Sequence, residues 1–179
     1  MAIREIRKEG DAILRKECKD IKEMTERTAV LIDDMFDTMY GANGVGLAAP
    51  QVGILKKLFV IDCGVEECEP YVFINPEIIE LSGEQTDNEG CLSVPGYQGQ
   101  VTRAEHVKVR ALDANMEEFE LEADGLLARC IQHENDHLHG VLYIDKVNGE
   151  LVELSKLPEE EEAEEEKHMR VIFMGTPDF

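Results

Sequence analysis

The sequence predicts an α+β fold in which short, mostly antiparallel strands wrap around one central helix. Residues 25–41 carry apolar side chains at helical spacing. Five brief strand-like runs follow, joined by links too short for helical crossovers. A second helical stretch, from about residue 125 to residue 139, then completes a pattern of strands and helices segregated along the chain. With 179 residues and 43% hydrophobic content, the chain is long enough for one domain with a real core.

Taken in order, the first helix starts where Thr25 can cap it, runs through Ile32, Met35, Phe36 and Met39, and stops at Gly41. Its methionines read as core filler. Strands are expected at 58–62, 71–75, 76–81, 107–112 and 119–122, punctuated by Gly, Pro, Asn and Asp. Gly140 is placed to end the last helix.

Composition excludes several function classes. A formal net charge of −21 and a pI near 4.5 oppose direct nucleic-acid binding and docking on anionic membranes. No apolar run reaches membrane-spanning length, and the start, Met1 to Arg7, lacks the apolar stretch of a secretory signal. Five cysteines without framework spacing point to a reducing cytoplasm. Cys63 and Cys68 flank a loop but have no second pair to complete a zinc site, so both are expected to be structural, as is Cys18.

The chemistry concentrates in Gln132-His133-Glu134-Asn135-Asp136-His137. Positions i and i+4 of a helix share a face, so His133 and His137 can grip one metal ion while Glu134 projects beside them as a proton acceptor. Leu126, Cys130, His133, Glu134 and His137 follow one helical stripe with Leu127, Ile131 and Leu138 close by. That is the face a helix buries, and polar groups there need partners or a metal. The third ligand has several candidates. In the extended motif HExxHxxGxxH, Gly140 matches the glycine but Tyr143 stands where a histidine is required. Glu150 or Glu153 would make the chain a zinc endopeptidase. Cys91, upstream, would leave an open fourth position for water. His106, His139 and His168 lack ligand partners at useful spacing and are expected on the surface.

Three blocks, Gly44-Val45-Gly46-Leu47-Ala48-Ala49-Pro50-Gln51, Glu89-Gly90-Cys91-Leu92-Ser93 and the HExxH segment, resemble the three signature motifs of the peptide deformylase family, in its order and approximate spacing. The resemblance covers about residues 1–155 and is closest to the compact bacterial type. It implies that Cys91, His133 and His137 hold one divalent metal, ferrous iron in the cell, with zinc, nickel or cobalt as substitutes. It implies further that Glu134 moves protons, and that the Gln51 amide and the Leu92 backbone N–H stabilise an oxyanion. The substrate would be a nascent peptide beginning with N-formylmethionine, met at the ribosome through the peptide itself. Gly44, Val45 and Gly46 would take the peptide backbone as an added strand, and Leu126 and Cys130 would line the methionine pocket. Glu89 is grouped with these substrate-facing residues and is also a candidate acceptor for a ligand histidine; Arg103 is expected to pair with Asp136.

Composition shifts abruptly after Leu157-Pro158. Residues 159–166 are glutamate except Ala163, a self-repelling run that would also repel ribosomal RNA. Residues 169–179 resemble the opening of methionyl-tRNA formyltransferase, one strand and turn that cannot bury its apolar face alone. The expected division is a catalytic domain at 1–157, an acidic linker at 158–168 and a formyltransferase-like stub at 169–179. The last two are expected to be poorly ordered and dispensable, the relic of a truncated fusion or of read-through between adjoining genes.

Overall fold

In the computed structural model, which describes residues 2–63 and 69–156, the chain runs in order through ten main elements. These are α1 (Glu26–Gly41), β1 (Gly46–Ala48), β2 (Leu58–Ile61), β3 (Tyr71–Ser82), β4 (Gln85–Cys91), β5 (Val94–Arg103), β6 (His106–Leu112), β7 (Glu118–Asp124), α2 (Gly125–Leu138) and β8 (Val152–Glu153). The expectations for Cys68, for 158–168 and for 169–179 lie outside the described residues.

Five strands pair in the order β1-β2-β3-β6-β7 and three in the order β4-β5-β8, each pairing antiparallel. The α+β class with antiparallel strands around the late helix is the observed architecture. β2 explains how two helices share one sheet. All four of its residues are apolar and buried, and successive side chains point to opposite faces. Leu58 and Val60 join Met35, Met39 and Leu31 of α1. Phe59 and Ile61 join Ala128, Cys130, Ile131 and Leu138 of α2. Phe59 and Phe73 stack with centroids 4.7 Å apart under α2. Such a pair contributes about 0.5–1.5 kcal/mol beyond burial, whereas truncating a buried phenylalanine costs about 3–5 kcal/mol. Filled volume, not ring stacking, is therefore what the platform under α2 depends on.

The first helix is capped as expected: Thr25 Oγ1 accepts from the Thr28 N–H at 3.1 Å. The second ends at Leu138, and Gly140 follows with φ +74°, where a Cβ would lie 2.6 Å from the Arg15 carbonyl oxygen. Only glycine fits there. Two results differ from the sequence reading. The runs at 71–75 and 76–81 are one strand, β3, with a register shift between Ile74 and Glu77. Asn75 sits at φ +50°, its side chain bonded to both backbone groups of Ile21 at 2.8 Å, and Pro76 has no N–H to give the ladder. The punctuation was real but marks a bulge instead of a break. Strands β1, β4, β5 and β8 were not anticipated, although β4 and β5 form the hairpin that carries Cys91.

His106 and His139, expected on the surface, each meet carboxylates there. His139 Nδ1 lies 2.9 Å from Glu17. His106 Nδ1 lies 2.8 Å from Asp124, with Glu122 at 3.3 Å from Nε2. The hydrogen bond to Asp124 raises the His106 pKa above its ordinary value of 6.5, against the opposing effect of burial. A raised histidine pKa means that the pair stabilises the fold below pH 6.5 and loses that contribution as pH rises through the folded value. NMR titration of His106 should give a midpoint above 6.5, and Asp124→Asn should lower it; a midpoint unmoved by that substitution would contradict the pairing.

Candidate metal centre

The face of α2 that turns inward carries His133, Glu134 and His137, all at most 2% exposed. The β4–β5 hairpin brings Cys91 against them. The Cys91 Sγ and one nitrogen from each imidazole all lie within 4.8 Å of one another, with Cys91 Sγ 3.4 Å from His137 Nε2. The imidazole rings meet edge to face with centroids 5.0 Å apart. Among the described residues, His133 Nε2 is buried with no hydrogen-bond partner, as are both oxygens of Glu134. Orphaned buried polar atoms are costly. A thiol and two imidazoles converging on one point are the donor set that a divalent cation satisfies. The residues fit a metal.

Electrostatics agree. Burial works against charge on His133, but the nearby Glu134, Cys91 and Glu89 override it and push its pKa up to about 10. Burial and the neighbouring His133 hold His137 well below its ordinary value. The surroundings thus favour one positive charge between the rings, whether proton or metal. Glu134 is pushed up to about 7, chiefly by burial.

One carboxylate orients this assembly. Glu89 is wholly buried. Its Oε1 accepts from His133 Nδ1 at 2.8 Å and from Arg103 at 2.9 Å. Its Oε2 accepts from Arg103 Nε at 2.6 Å and from Arg129. Burial alone would raise its pKa, yet Arg103 and His133 hold it well below the usual carboxylate range. A carboxylate only accepts, so Nδ1 of His133 must carry a hydrogen, and a cation bound at the site would take the place of the proton on Nε2. Arg103 also reaches Asp136 at 3.0 Å.

Gln51 lies in the short 3-10 turn Ala49–Val52 after β1. Its Oε1 accepts from the Ala48 N–H at 2.9 Å, which orients the amide, and its Nε2 points to Cys91 Sγ at 3.4 Å and Ser93 Oγ at 3.1 Å. Gly46 faces Glu134 so closely that a Cβ there would lie 2.6 Å from Oε2.

Comparison with known proteins agrees with this geometry over nearly the whole described chain. The polypeptide deformylase family matches residues 3–152. The chain belongs to that family. A peptide deformylase of Lachnoclostridium phytofermentans is 59% identical over 162 residues, covering 90% of this chain and 99% of the relative. That of Agathobacter rectalis is 60% identical over 151 residues, covering 84% and 94%. Among solved structures, peptide deformylase from Legionella pneumophila superposes with a TM-score of 0.79 at 49% identity, covering 82% of this chain and 86% of that one. The Thermotoga maritima enzyme gives 0.79 at 42% identity, covering 82% and 99%.

Measured against the deformylase motifs, the three blocks converge: Gln51, Cys91, His133, Glu134 and His137 share one buried region. The endopeptidase alternative is not supported. Glu150 is exposed and Glu153 sits on β8 opposite Tyr97; among the described residues neither joins the Cys91, His133 and His137 cluster. Tyr143, at the position of the missing third histidine, instead stacks on His133 with centroids 6.1 Å apart. The grouping of Glu89 with substrate-facing residues needs correction. Both its oxygens are taken by Arg103, Arg129 and His133, so it serves the histidine and has no face for a peptide. Cys130 is fully buried against Cys63, and Leu126 is half-buried against the same cluster. Arg129 escaped the sequence reading. Its only signal was an arginine among apolar neighbours, one turn before His133. Gly46→Ala should displace the Glu134 carboxylate by the width of a methyl contact and lower formyl-peptide turnover about 10²-fold, with metal content unchanged. Normal turnover in that variant would show that the close approach has no bearing on catalysis.

Proposed function

We propose that Cys91, His133 and His137 hold the metal of this deformylase and that Glu134, Gln51 and the Leu92 N–H perform the hydrolysis around it. The convergence of the three ligand atoms within 4.8 Å, beside a buried and otherwise unpartnered carboxylate, is the observation that carries this reading. Ferrous iron is the cation the family resemblance favours, with zinc, nickel and cobalt as substitutes; the mixed thiol and imidazole donors suit all four. The bound ion supplies Lewis acidity that brings the ionisation of water toward neutral pH.

The protein groups account for the remaining work. Glu134 takes a proton from the attacking water and returns it to the departing amine, so the formyl C–N bond breaks to give formate and a free N-terminus. Burial pushes the Glu134 carboxyl above the usual carboxylate range before any cation binds, which favours its holding the proton between the two transfers. Negative charge gathers on the formyl oxygen, where the Gln51 Nε2 and the Leu92 N–H donate to it. Losing one such donor costs about 3–4 kcal/mol of transition-state stabilisation. Ala48 supports this role by fixing which end of the Gln51 amide points inward.

The substrate is a nascent peptide beginning with N-formylmethionine. Among the described residues β1 pairs with β2 alone, and its other edge, at Gly46, is where an extended backbone is proposed to run past Gly44, Val45 and Gly46. Leu126 and Cys130 lie on the stripe of α2 one to two turns before His133 and are the residues proposed beside the methionine side chain. The reaction is assigned to the cytoplasm, and the net charge of −21 argues that contact with the ribosome runs through the peptide and not through RNA. Among the described residues no helix is long and apolar enough to cross a membrane.

Two experiments test the assignment. Cys91→Ala should lose metal and activity together, whereas Glu134→Ala should keep its metal and lose about 10²–10⁴ in kcat. Full metal occupancy in Cys91→Ala, or near-normal turnover in metal-loaded Glu134→Ala, would overturn the corresponding role. The second experiment concerns domain division, with catalysis assigned to 1–157 and the formyltransferase-like stub at 169–179 given no part in it. A chain cut after Leu157 should match the full chain in deformylation rate and thermal midpoint; a large loss in either would assign the removed residues to the catalytic unit.

A further inference from the structure

Arg129 is the largest fully buried side chain in the described protein, at 1% exposure, and no step of the hydrolysis uses it. An arginine is almost never buried without a set of acceptors to hold it. Arg129 has four. Its NH1 donates to Glu89 Oε2 and to the Val101 carbonyl at 3.0 Å. Its Nε donates to Gln85 Oε1 at 3.2 Å and its NH2 to the Gln85 carbonyl at 3.3 Å.

These acceptors all lie on the β4–β5 hairpin, which must be held in register with α2. Val101 lies on β5, and Gln85 and Glu89 on β4, the hairpin that ends in Cys91. Arg129 itself lies on α2, one helical turn before His133. Consecutive turns of one helix therefore grip the two oxygens of one carboxylate: Arg129 takes Oε2 and His133 takes Oε1. Arg103 spans both oxygens but is shared with Asp136. A carboxylate offers about four lone-pair sites, and these donors occupy all of them, which fixes the Glu89 plane and with it the His133 ring.

We propose that Arg129 is a positioning residue for the metal centre: it locks Glu89 against His133 and ties the strand carrying Cys91 to the helix carrying both histidines, so that the three ligand atoms are preorganised for a divalent cation. This rests on the ligand set of Cys91, His133 and His137. Removing the tie leaves every ligand present but lets the thiol and imidazoles move relative to one another. Outer partners of metal ligands typically change affinity 10–100-fold.

The test is Zn²⁺ affinity, measured by chelator competition on protein shown to be folded by circular dichroism. Arg129→Met should bind Zn²⁺ about 10–100-fold more weakly. Arg129→Lys, which keeps the charge but cannot fork to Glu89, Val101 and Gln85 together, should recover only part of that loss. Glu89→Gln should weaken binding as well. The Arg129→Met/Glu89→Gln double variant should lose less than the product of the two single effects, because both act through His133. A purely structural arginine would lower the thermal midpoint of Arg129→Met and Arg129→Lys yet leave Zn²⁺ affinity unchanged in the folded protein, and that result would overturn the proposal. If Arg129→Met does not fold, Arg129→Lys decides by the same criterion. Cys91→Ala separates the two levels of inference: unchanged Zn²⁺ affinity there would remove the ligand assignment itself, whereas loss in Cys91→Ala with none in either Arg129 variant would remove the positioning role alone.

Discussion

The burial of one ionised carboxylate governs the arrangement of this molecule. Glu89 has no access to water, and an isolated carboxylate in such surroundings would be strongly disfavoured. The fold answers by bringing two guanidinium groups and one imidazole to it from two different elements: Arg103 from the end of β5, and Arg129 and His133 from α2. Neither of those elements can shift without exposing a charge to the apolar interior. The same hydrogen bonds that make the burial tolerable also choose the tautomer of His133. Structural stability and ligand presentation thus rest on one set of contacts.

Around that centre the helices divide the apolar work. β2 is buried on both faces and gives alternate side chains to α1 and α2, so the sheet transmits the position of one helix to the other. Gln51 follows β1, the neighbour of β2, and its amide therefore depends on the sheet, whereas Cys91 depends on the second, three-stranded sheet. The centre sits where the two sheets and α2 meet, and each supplies part of it. A site assembled from separate units needs cross-links between them, and the polar cluster at Glu89 is the principal one.

The parts legible in the sequence are those governed by regular periodicity. The helical stripe bearing His133, Glu134 and His137 stands out because imidazoles and a carboxylate interrupt an otherwise apolar face. The cap at Thr25 and the stop at Gly140 follow from local backbone chemistry. Cys91 could be separated from Glu150 and Glu153 only through the block around it, since ligand spacing across a fold is not a one-dimensional signal. The hairpin of β4 and β5 stayed hidden for a physical reason. β4 turns Gln85 and Glu89 inward to meet Arg129 and the rest of the polar cluster, so the apolar alternation that marks a half-buried strand is absent. β5 carries Pro95, Gly96 and Gly99, residues that ordinarily end strands. Gly99 is there because its neighbour leaves no room: a Cβ would lie 2.7 Å from Val147. Arg129 and β4 were overlooked together because each looks anomalous without the other.

The edge strand β1 has a consequence for the breadth of chemistry open to such an enzyme. It is three residues long, all of them buried, and among the described residues no strand pairs with its outer edge. A guest chain aligned on that edge, as proposed above, would be held through backbone groups common to every polypeptide, while its side chains project alternately to the two faces of the sheet. Three residues of edge would leave few contacts beyond the first residue, so discrimination on that reading falls on this residue and its formyl cap. A deformylase whose substrates are nascent chains of differing sequence needs this indifference.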